Sequence, residues 1–315
     1  MAHVIRYVDP DAPGPTHDGT SWNNAYTSLD DWNDNEATDL VSDDDYHTVY
    51  CRSSSGTADT KSVNVQGWNT DASHDINIIG FDFPTDGIWD NTAYRIYTNG
   101  RCIRVGEDFV NLINLQLWSW ETVASYVIAI EPSSDITNTS AVTNIDSCIL
   151  RCTGTEGGNC NSGIMDYSKG TVNVYNTLFL DWEPSAGAGR SHSEAVYVNT
   201  TNAKLNMYNC TCYNCAIGIT NDHTGCTVNA INSIFSGGGV VWGYESGDVN
   251  VDYCCSDAGT GTNSQTPSGG DWDNEFTDKD NKDFSLLATG NCAENGTNNP
   301  GSGLYLDDII GTGRS

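Results

Sequence analysis

The chain has 315 residues and a formal net charge of −29, from 42 Asp and Glu residues against 13 Lys and Arg residues. A chain this acidic is not expected to bind nucleic acid or an anionic membrane surface. Hydrophobic residues make up 37% of it, and no apolar stretch approaches the length of a membrane span.

Residues 1–46 are predicted to form an N-terminal arm and cap. The first ten residues hold no apolar run long enough for a signal peptide, so none is expected. Residues 28–40 place Leu29, Trp32 and Leu40 among acidic residues. We expect a helix there that covers the open end of a stack of strands, because bare strand edges invite association. The part before Trp22 is a candidate attachment arm.

A five-residue phrase recurs six times in the middle of the chain. Its second residue is always Asn, its first and third residues are apolar or β-branched, and its fifth residue is Asn in four copies. Successive copies begin 21 to 33 residues apart, and repeats of that length indicate a solenoid. The copies are residues 110–114, 143–147, 172–176, 205–209, 228–232 and 249–253.

The phrase predicts a short strand followed by a sharp turn. Apolar residues that alternate with Asn give a strand with one buried face, and Asn tolerates the left-handed conformation that such a turn needs. In stacked coils, equivalent Asn side chains can form hydrogen-bonded ladders. The predicted ladder residues are Asn111, Asn144, Asn173, Asn206, Asn229 and Asn250 at the second position, and Asn114, Asn176, Asn209 and Asn232 at the fifth.

The predicted fold is therefore all-β, a right-handed single-stranded parallel β-helix. We expect it to extend over residues 47–260, followed by a C-terminal cap and tail at 261–315, all in one structural domain. Two earlier segments, residues 63–67 and 76–80, also match the phrase. The alternative is a β-sandwich, whose strands share no fixed phrase. One apolar column is expected to follow the turns, namely Leu117, Leu150, Phe179, Cys212 and Phe235.

The twelve cysteines leave three interpretations open. Cys210, Cys212 and Cys215, with His223 and Cys226 nearby, have the residue types of a zinc site. However, Cys210 directly follows a phrase, and stacked coils need small residues inside the rod, where free Cys acts as a small hydrophobe. Buried thiols are thus the favoured interpretation. Equivalent positions hold Leu115, Cys148, Thr177, Ser233 and Cys254, and the disulfide candidates are Cys254–Cys255 and Cys152–Cys160. No cofactor is predicted, and structural calcium is left open.

Residues 181–194 contain the richest set of side chains able to do chemistry. Two carboxyl groups about 5–10 Å apart can hydrolyse a glycosidic bond, whereas a lyase would need a base such as Arg190 or His192. The alternative is a solvated corner loop whose charges are incidental. The candidate catalytic residues are Asp181, Glu183, Arg190, His192 and Glu194, with Asp222 in the next coil and Asp166 in the preceding one.

Several aromatic residues lie at or beyond the predicted strands. If they face outward, their flat apolar rings suit the stacking of sugars, and if they face inward they belong to the core. Trp182, Trp242 and Tyr244 are the predicted glycan-binding residues, and Trp118 and Trp120 have similar positions.

Segments at both ends carry a family resemblance. They are Tyr7-Val8-Asp9-Pro10 with residues 18–29, residues 65–69 with Ile76-Asn77-Ile78-Ile79-Gly80, and residues 283–286 with 307–311. These segments resemble the N-terminal cap, the first coils and the closing segment of right-handed parallel β-helix repeat proteins of bacteria and phages. That group includes pectate-lyase-like enzymes, phage tailspikes, adhesins and virion surface proteins, so the resemblance predicts the fold and no single function.

We expect an exterior virion structural protein, a phage capsid decoration or spike subunit without enzymatic activity. The expected location is the virion surface, the expected partners are capsid or fibre proteins and further copies of the chain, and polysaccharide is a further expected ligand. A polysaccharide lyase or glycoside hydrolase of the same fold is one alternative. A bacterial surface adhesin is the other.

Overall fold

The computed structural model describes residues 2–120, 125–131, 138–153, 160–181, 194–237, 239–242, 248–294 and 296–297. Within these ranges the chain forms three parallel sheets whose strands alternate along the sequence. The strands are numbered β1 to β25 in chain order. Each sheet adds one strand per coil, so the coils stack about 4.8 Å apart along one rod.

The strands divide among the three sheets as follows. Sheet 1 contains β1 (Ala2–Val8), β2 (Asp45–Cys51), β4 (Ile76–Gly80), β7 (Val110–Ile113), β10 (Val142–Asp146), β13 (Thr171–Tyr175), β16 (Lys204–Tyr208), β19 (Thr227–Ile231) and β22 (Asp248–Asp252). Sheet 2 contains β5 (Arg95–Thr98), β8 (Gln116–Ser119), β11 (Ile149–Cys152), β14 (Leu178–Leu180), β17 (Thr211–Tyr213), β20 (Ile234–Phe235) and β23 (Cys255–Ser256). Sheet 3 contains β3 (Val63–Val65), β6 (Ile103–Val105), β9 (Ser125–Ile130), β12 (Cys160–Asp166), β15 (Glu194–Val198), β18 (Ile217–Asn221) and β21 (Gly239–Trp242).

All six copies of the repeated phrase lie in sheet 1, in consecutive strands and in register. Asn144 pairs with Asn111 on one side and with Asn173 on the other, and Asn206 pairs with Asn173. The prediction of a parallel β-helix is therefore confirmed. The right hand of the coil stays a prediction, supported by the strong preference of parallel crossovers for that hand.

The fifth residue of every phrase has the left-handed conformation. Its φ angle is 56° at Asn114, 48° at Asn176 and 53° at Asn232. Ser147 and Tyr253 take the same conformation, each with a φ of 53°. The stack thus imposes the turn in every coil, and Asn is common there because it accepts this conformation at low cost.

The core consists of side chains that lie over one another from coil to coil. Leu117, Leu150, Phe179, Cys212 and Phe235 pair in register along sheet 2 and are all buried. A second buried column follows the turn after sheet 1, and it consists of Leu115, Cys148, Thr177, Cys210, Ser233 and Cys254. Apolar burial of this extent, at about 25 cal/mol per Å², is the main stabilising contribution to such a rod.

The cysteines of the proposed zinc cluster are buried free thiols. Burial raises the pKa of Cys210 to about 12, so its thiol is neutral and unreactive at physiological pH. The Cys254–Cys255 candidate is wrong, because Cys255 forms a disulfide with Cys292 and Cys254 is free. Cys152 is also disulfide-bonded, and the side chain of its predicted partner Cys160 lies outside the described residues.

The predicted helical cap is present as two helices, α1 (Leu29–Glu36) and α2 (Leu40–Asp43). The Ser28 hydroxyl accepts a hydrogen bond from the backbone N–H of Asp31, in the first turn of α1. Of the two earlier segments that match the phrase, residues 76–80 lie in sheet 1 and residues 63–67 do not. Val63–Val65 pairs with Ile103–Val105 in sheet 3, because a short apolar-Asn-apolar run fits any sheet with one buried face.

The C-terminal part contains the antiparallel pair β24 (Phe276–Asp278) and β25 (Asp283–Leu286), and the short helix α3 (Asn291–Glu294). Short 3-10 turns lie at Trp22–Asn24, Ser268–Gly270, Trp272–Asn274 and Lys279–Asn281. Of the helices that the structure describes, none has the length and apolar character needed to cross a bilayer. The predicted division at residues 46/47 and 260/261 stays a prediction.

Candidate functional site

The predicted catalytic residues do not all come together. Asp181, at the end of a sheet 2 strand, accepts from Arg151 at 2.7 Å and from Lys282 at 2.6 Å. Both of its oxygens are thus paired with cations, which suits a structural ion-pair network better than acid–base chemistry. Four other predicted residues lie outside the described part of the chain, namely Trp182, Glu183, Arg190 and His192.

Glu194 and Asp222 lie in one polar cluster on sheet 3. Glu194 is 3% exposed, and its carboxyl accepts from Ser162 at 3.1 Å and from Thr220 at 3.4 Å. Burial, together with the nearby charge of Asp222, raises the pKa of Glu194 to about 7. The Tyr197 hydroxyl donates a hydrogen bond to the Asp222 carboxylate. The cluster therefore holds one carboxyl that titrates near neutral pH beside a second carboxyl.

Asp166 ends a sheet 3 strand and is completely buried. One of its oxygens accepts from the backbone N–H and the hydroxyl of Ser168, both at 2.7 Å, and the other has no hydrogen-bond partner among the described residues. Burial raises the pKa of Asp166 to about 7. This carboxyl belongs to the rod interior and cannot meet a polymer outside it.

The side chains of the three predicted glycan-binding aromatic residues lie outside the described part of the chain. Trp242 ends β21, but its side chain lies outside the described residues, as does all of Tyr244. Trp118 lies on the outside of sheet 2, where its ring is covered by Tyr97, with centroids 4.7 Å apart, and by the Arg151 guanidinium at 4.4 Å. Trp120, which ends the same strand region, is 36% exposed.

The outer face of sheet 1 carries two parallel columns of side chains. The first is a ladder of carboxamides, in which Asn111 donates to Asn77 at 3.0 Å and Asn144 donates to Asn111 at 2.6 Å. The ladder continues with bonds of 2.8 Å from Asn173, Asn206 and Asn229, each to the preceding Asn. Asn111 uses both of its N–H groups, because it also donates to Asp75. The later amides each use one N–H in the ladder and keep a second N–H and a lone pair for an external partner.

Three of the four predicted fifth-position asparagines form a second ladder at the turn, and Ser147 separates the fourth, Asn114, from them. Asn209 donates to Asn176 at 3.4 Å, and Asn232 donates to Asn209 at 3.3 Å. Asn232 also exchanges two hydrogen bonds, of 2.6 and 2.8 Å, with the backbone of Thr297. Asn250 pairs in register with Asn229 but is exposed. The ladder at the turn therefore binds the backbone of the C-terminal segment, whereas the ladder on the strands faces outward.

The second column of the outer face lies two residues from the amide ladder and is mainly aromatic and aliphatic. Its members pair in register from the first strand of sheet 1 to the last, and they are Tyr7, Tyr50, Ile79, Ile113, Asp146, Tyr175, Tyr208, Ile231 and Asp252. Because two residues of a strand span about 7 Å, the two columns run side by side along the rod axis.

At its N-terminal end this column widens into an aromatic platform, defined as Tyr7, Trp22, Tyr50 and Phe81. The Tyr7 and Trp22 centroids are 4.5 Å apart, Trp22 and Phe81 are 5.2 Å apart, and Tyr50 and Phe81 are 6.1 Å apart. Phe81 is 61% exposed, and the other three rings are partly exposed. The Arg52 guanidinium lies 4.2 Å from the Trp22 ring centroid.

Sequence reasoning did not find this platform. A signal was present in the fourth residue of the repeated phrase, which alternation places on the outside and which is Ile or Tyr in four of six copies. An outward apolar residue in successive coils predicts an apolar stripe. The contribution of Trp22 and Phe81 had no such signal, because both lie outside the strands.

The described residues contain one group of three side chains with the spacing of metal ligands, namely Cys255, Glu275 and Cys292. The two sulfurs are joined in a disulfide. Glu275 accepts backbone N–H groups from Ser268 at 2.6 Å and from Cys292 at 2.8 Å. Its oxygens are therefore committed to the backbone, and the group fits a structural clasp better than a metal site.

The three stacked parallel sheets with their side-chain ladders define a parallel β-helix protein. No protein-family model matches the chain, and no curated protein matches it. Among solved structures it is similar to the crystal structure of pectate lyase Pel9A, with a TM-score of 0.44 and 13% sequence identity over 100% of this chain and 97% of that chain. The stacked sheets themselves confirm the parallel β-helix fold that the sequence resemblance predicts.

Proposed function

We propose that this protein binds a polysaccharide chain along the outer face of sheet 1, with the aromatic platform as its main contact. The observation that supports this is the accessible cluster of four rings beside an outward amide ladder. Aromatic faces stack on the apolar faces of pyranose rings, and carboxamides pair with their hydroxyl groups. Because both columns follow the rod axis, an extended polymer parallel to that axis meets both at once.

The proposal is tested by affinity electrophoresis of the full chain in gels that contain single polysaccharides of different backbones. We expect retardation by at least one polymer, reduced at least tenfold in Trp22→Ala and Phe81→Ala. Trp120→Ala is the matched control, because it removes a partly exposed aromatic side chain from sheet 2. Equal loss in all three variants, or no retardation of the unaltered chain by any polymer, would overturn the proposal.

Hydrolysis of a glycosidic bond is a second candidate function, favoured by the Glu194 cluster. A carboxyl with a pKa near 7 beside a second carboxyl is the arrangement that a general acid and its partner need. Release of reducing ends from a bound polymer should then be lost in Glu194→Gln, while binding is retained. Asp181→Asn, outside the cluster, should keep activity. Absence of any product from the unaltered protein excludes this function for the polymers tried.

We propose a particle surface as the setting of this binding, with the chain as a capsid decoration or spike subunit. Support comes from the acidic, repeat-built rod, because high net charge keeps an exterior protein soluble. The partners would be capsid or fibre proteins and further copies of the chain. Mass spectrometry of purified particles is the test. A chain present in the surrounding fluid and absent from the particles would contradict the setting.

A further inference from the structure

The charges around the aromatic platform bear on which polysaccharides it can take. Arg52, the cation over the Trp22 ring, donates to Asp9 at 2.9 Å. Asp9 is completely buried. The positive charge beside the platform is therefore already matched by a carboxylate from the protein, and it adds little attraction for an anionic ligand.

The amide ladder next to the platform begins at a carboxylate. Asp75 accepts from the side-chain amides of Asn77 at 3.2 Å and of Asn111 at 2.9 Å. Both donors are neutral, so these bonds leave the negative charge of Asp75 on the outer face. A polymer that lies along the ladder thus runs past this acidic group.

The rest of the molecule adds to this field. With a net charge of −29 the protein repels anions at long range, and the repulsion extends about 30 Å at 10 mM salt and about 8 Å at 150 mM salt. A polyuronate carries one carboxylate per sugar and would need cations along its path. A neutral glycan needs only the rings and the amides.

We infer that the site selects uncharged polysaccharides and rejects polyuronates. This inference rests on the proposed binding of glycan to the platform, and it names the class of ligand. The selection arises from Asp75 and the matched Arg52 on one face, together with the overall negative charge. Beside the platform the cation Arg52 is already paired with Asp9, and the exposed Lys204 of the same face lies on β16, four strands of sheet 1 beyond β4.

The test uses pairs of polymers that share a backbone and differ in charge, namely polygalacturonate with its methyl ester and carboxymethylcellulose with hydroxyethylcellulose. Affinities of the full chain are measured at about 10 and 150 mM salt. For any pair that binds, we expect the protein to bind the neutral polymer at least tenfold more tightly than the charged polymer at low salt. The difference should narrow at the higher salt, because screening weakens the repulsion.

Two variants separate charge from shape. Asp75→Asn should raise the affinity for the charged member severalfold and change that for the neutral member less than twofold. Phe81→Ala should weaken both. Equal or tighter binding of the charged member by the unaltered protein overturns the selection and leaves the glycan-binding function standing. Failure of every polymer to bind overturns the glycan-binding function itself, so the two failures are distinguishable.

Discussion

The two halves of the outer face of sheet 1 have the same register but opposite accessibility. In the N-terminal half, Tyr7 and Tyr50 are partly exposed and join the platform. In the C-terminal half, Tyr175 and Tyr208 are 2% and 7% exposed and stack on each other with centroids 5.9 Å apart. Position in the repeat therefore decides which way a ring points. It does not decide whether a ligand can reach that ring.

Buried carboxyl groups show a similar contrast between the halves. Asp9 accepts from Arg52, from the backbone N–H of Asp11 at 3.0 Å and from that of Ser54 at 3.2 Å. Asp166 keeps one oxygen without a hydrogen-bond partner among the described residues. Both side chains are completely buried. Burial penalises the charged form of both carboxyl groups, and the donors around Asp9 offset that penalty where Asp166 has fewer of them.

The largest effect on the unfolding free energy is expected from removing the carboxyl group of Asp166. Because its folded pKa of about 7 lies above the ordinary value of 3.8, the group favours the folded state fully below about pH 4 and loses that contribution as the pH rises to 7. Asp166→Asn should remove this dependence and raise the unfolding free energy at pH 8 by up to about 4 kcal/mol. Denaturant unfolding at pH 5 and pH 8 measures it.

Asp9→Asn is the matched control in the N-terminal half. It leaves Arg52 without its carboxylate partner, and we expect a loss of about 3 kcal/mol at pH 8. Stabilisation by Asp9→Asn, or destabilisation by Asp166→Asn at pH 8, would show that the two sites do not differ as described.

The next effect sharpens the contrast between the two tyrosine pairs. Tyr208→Ala removes a buried ring, and we expect it to lower the unfolding free energy by about 3 kcal/mol without changing glycan affinity. Tyr50→Ala removes a partly exposed ring of the platform and should cost less stability but weaken glycan binding severalfold. Parallel denaturation and affinity electrophoresis of both variants give the comparison. If Tyr208→Ala alone lost glycan binding, the ligand would lie on the C-terminal half of the outer face, which would contradict the proposed site.

The smallest effect concerns the amide ladder. Asn173 donates to Asn144 and accepts from Asn206, so Asn173→Ala leaves two neighbours without a ladder partner and should cost about 1–2 kcal/mol. Asn250 is exposed at the last strand of sheet 1, and Asn250→Ala should cost less than about 0.5 kcal/mol. Equal Tm shifts for the two variants would contradict a cooperative ladder.

The candidate site was only partly predictable. Glu194 and Asp222 could be singled out as carboxyls in neighbouring coils, but the acidic composition offers many such pairs. Their contact through Thr220 and Tyr197 depends on how sheet 3 turns its outer residues, and no local pattern encodes that. Asp181 is separate from them because it follows a strand of sheet 2, and its partner Lys282 comes from a distant part of the chain.

By itself, the sequence determined the repeat, the alternation within each strand, the left-handed turn and therefore the stacked coils. These are local properties, since side-chain size and φ preference act within a few residues and the repeat multiplies them. Only the tertiary structure decided which rings are open, which carboxyls lack donors and which cysteines pair. Those outcomes depend on neighbours tens of residues away, whose approach is set by the packing of whole coils and end segments.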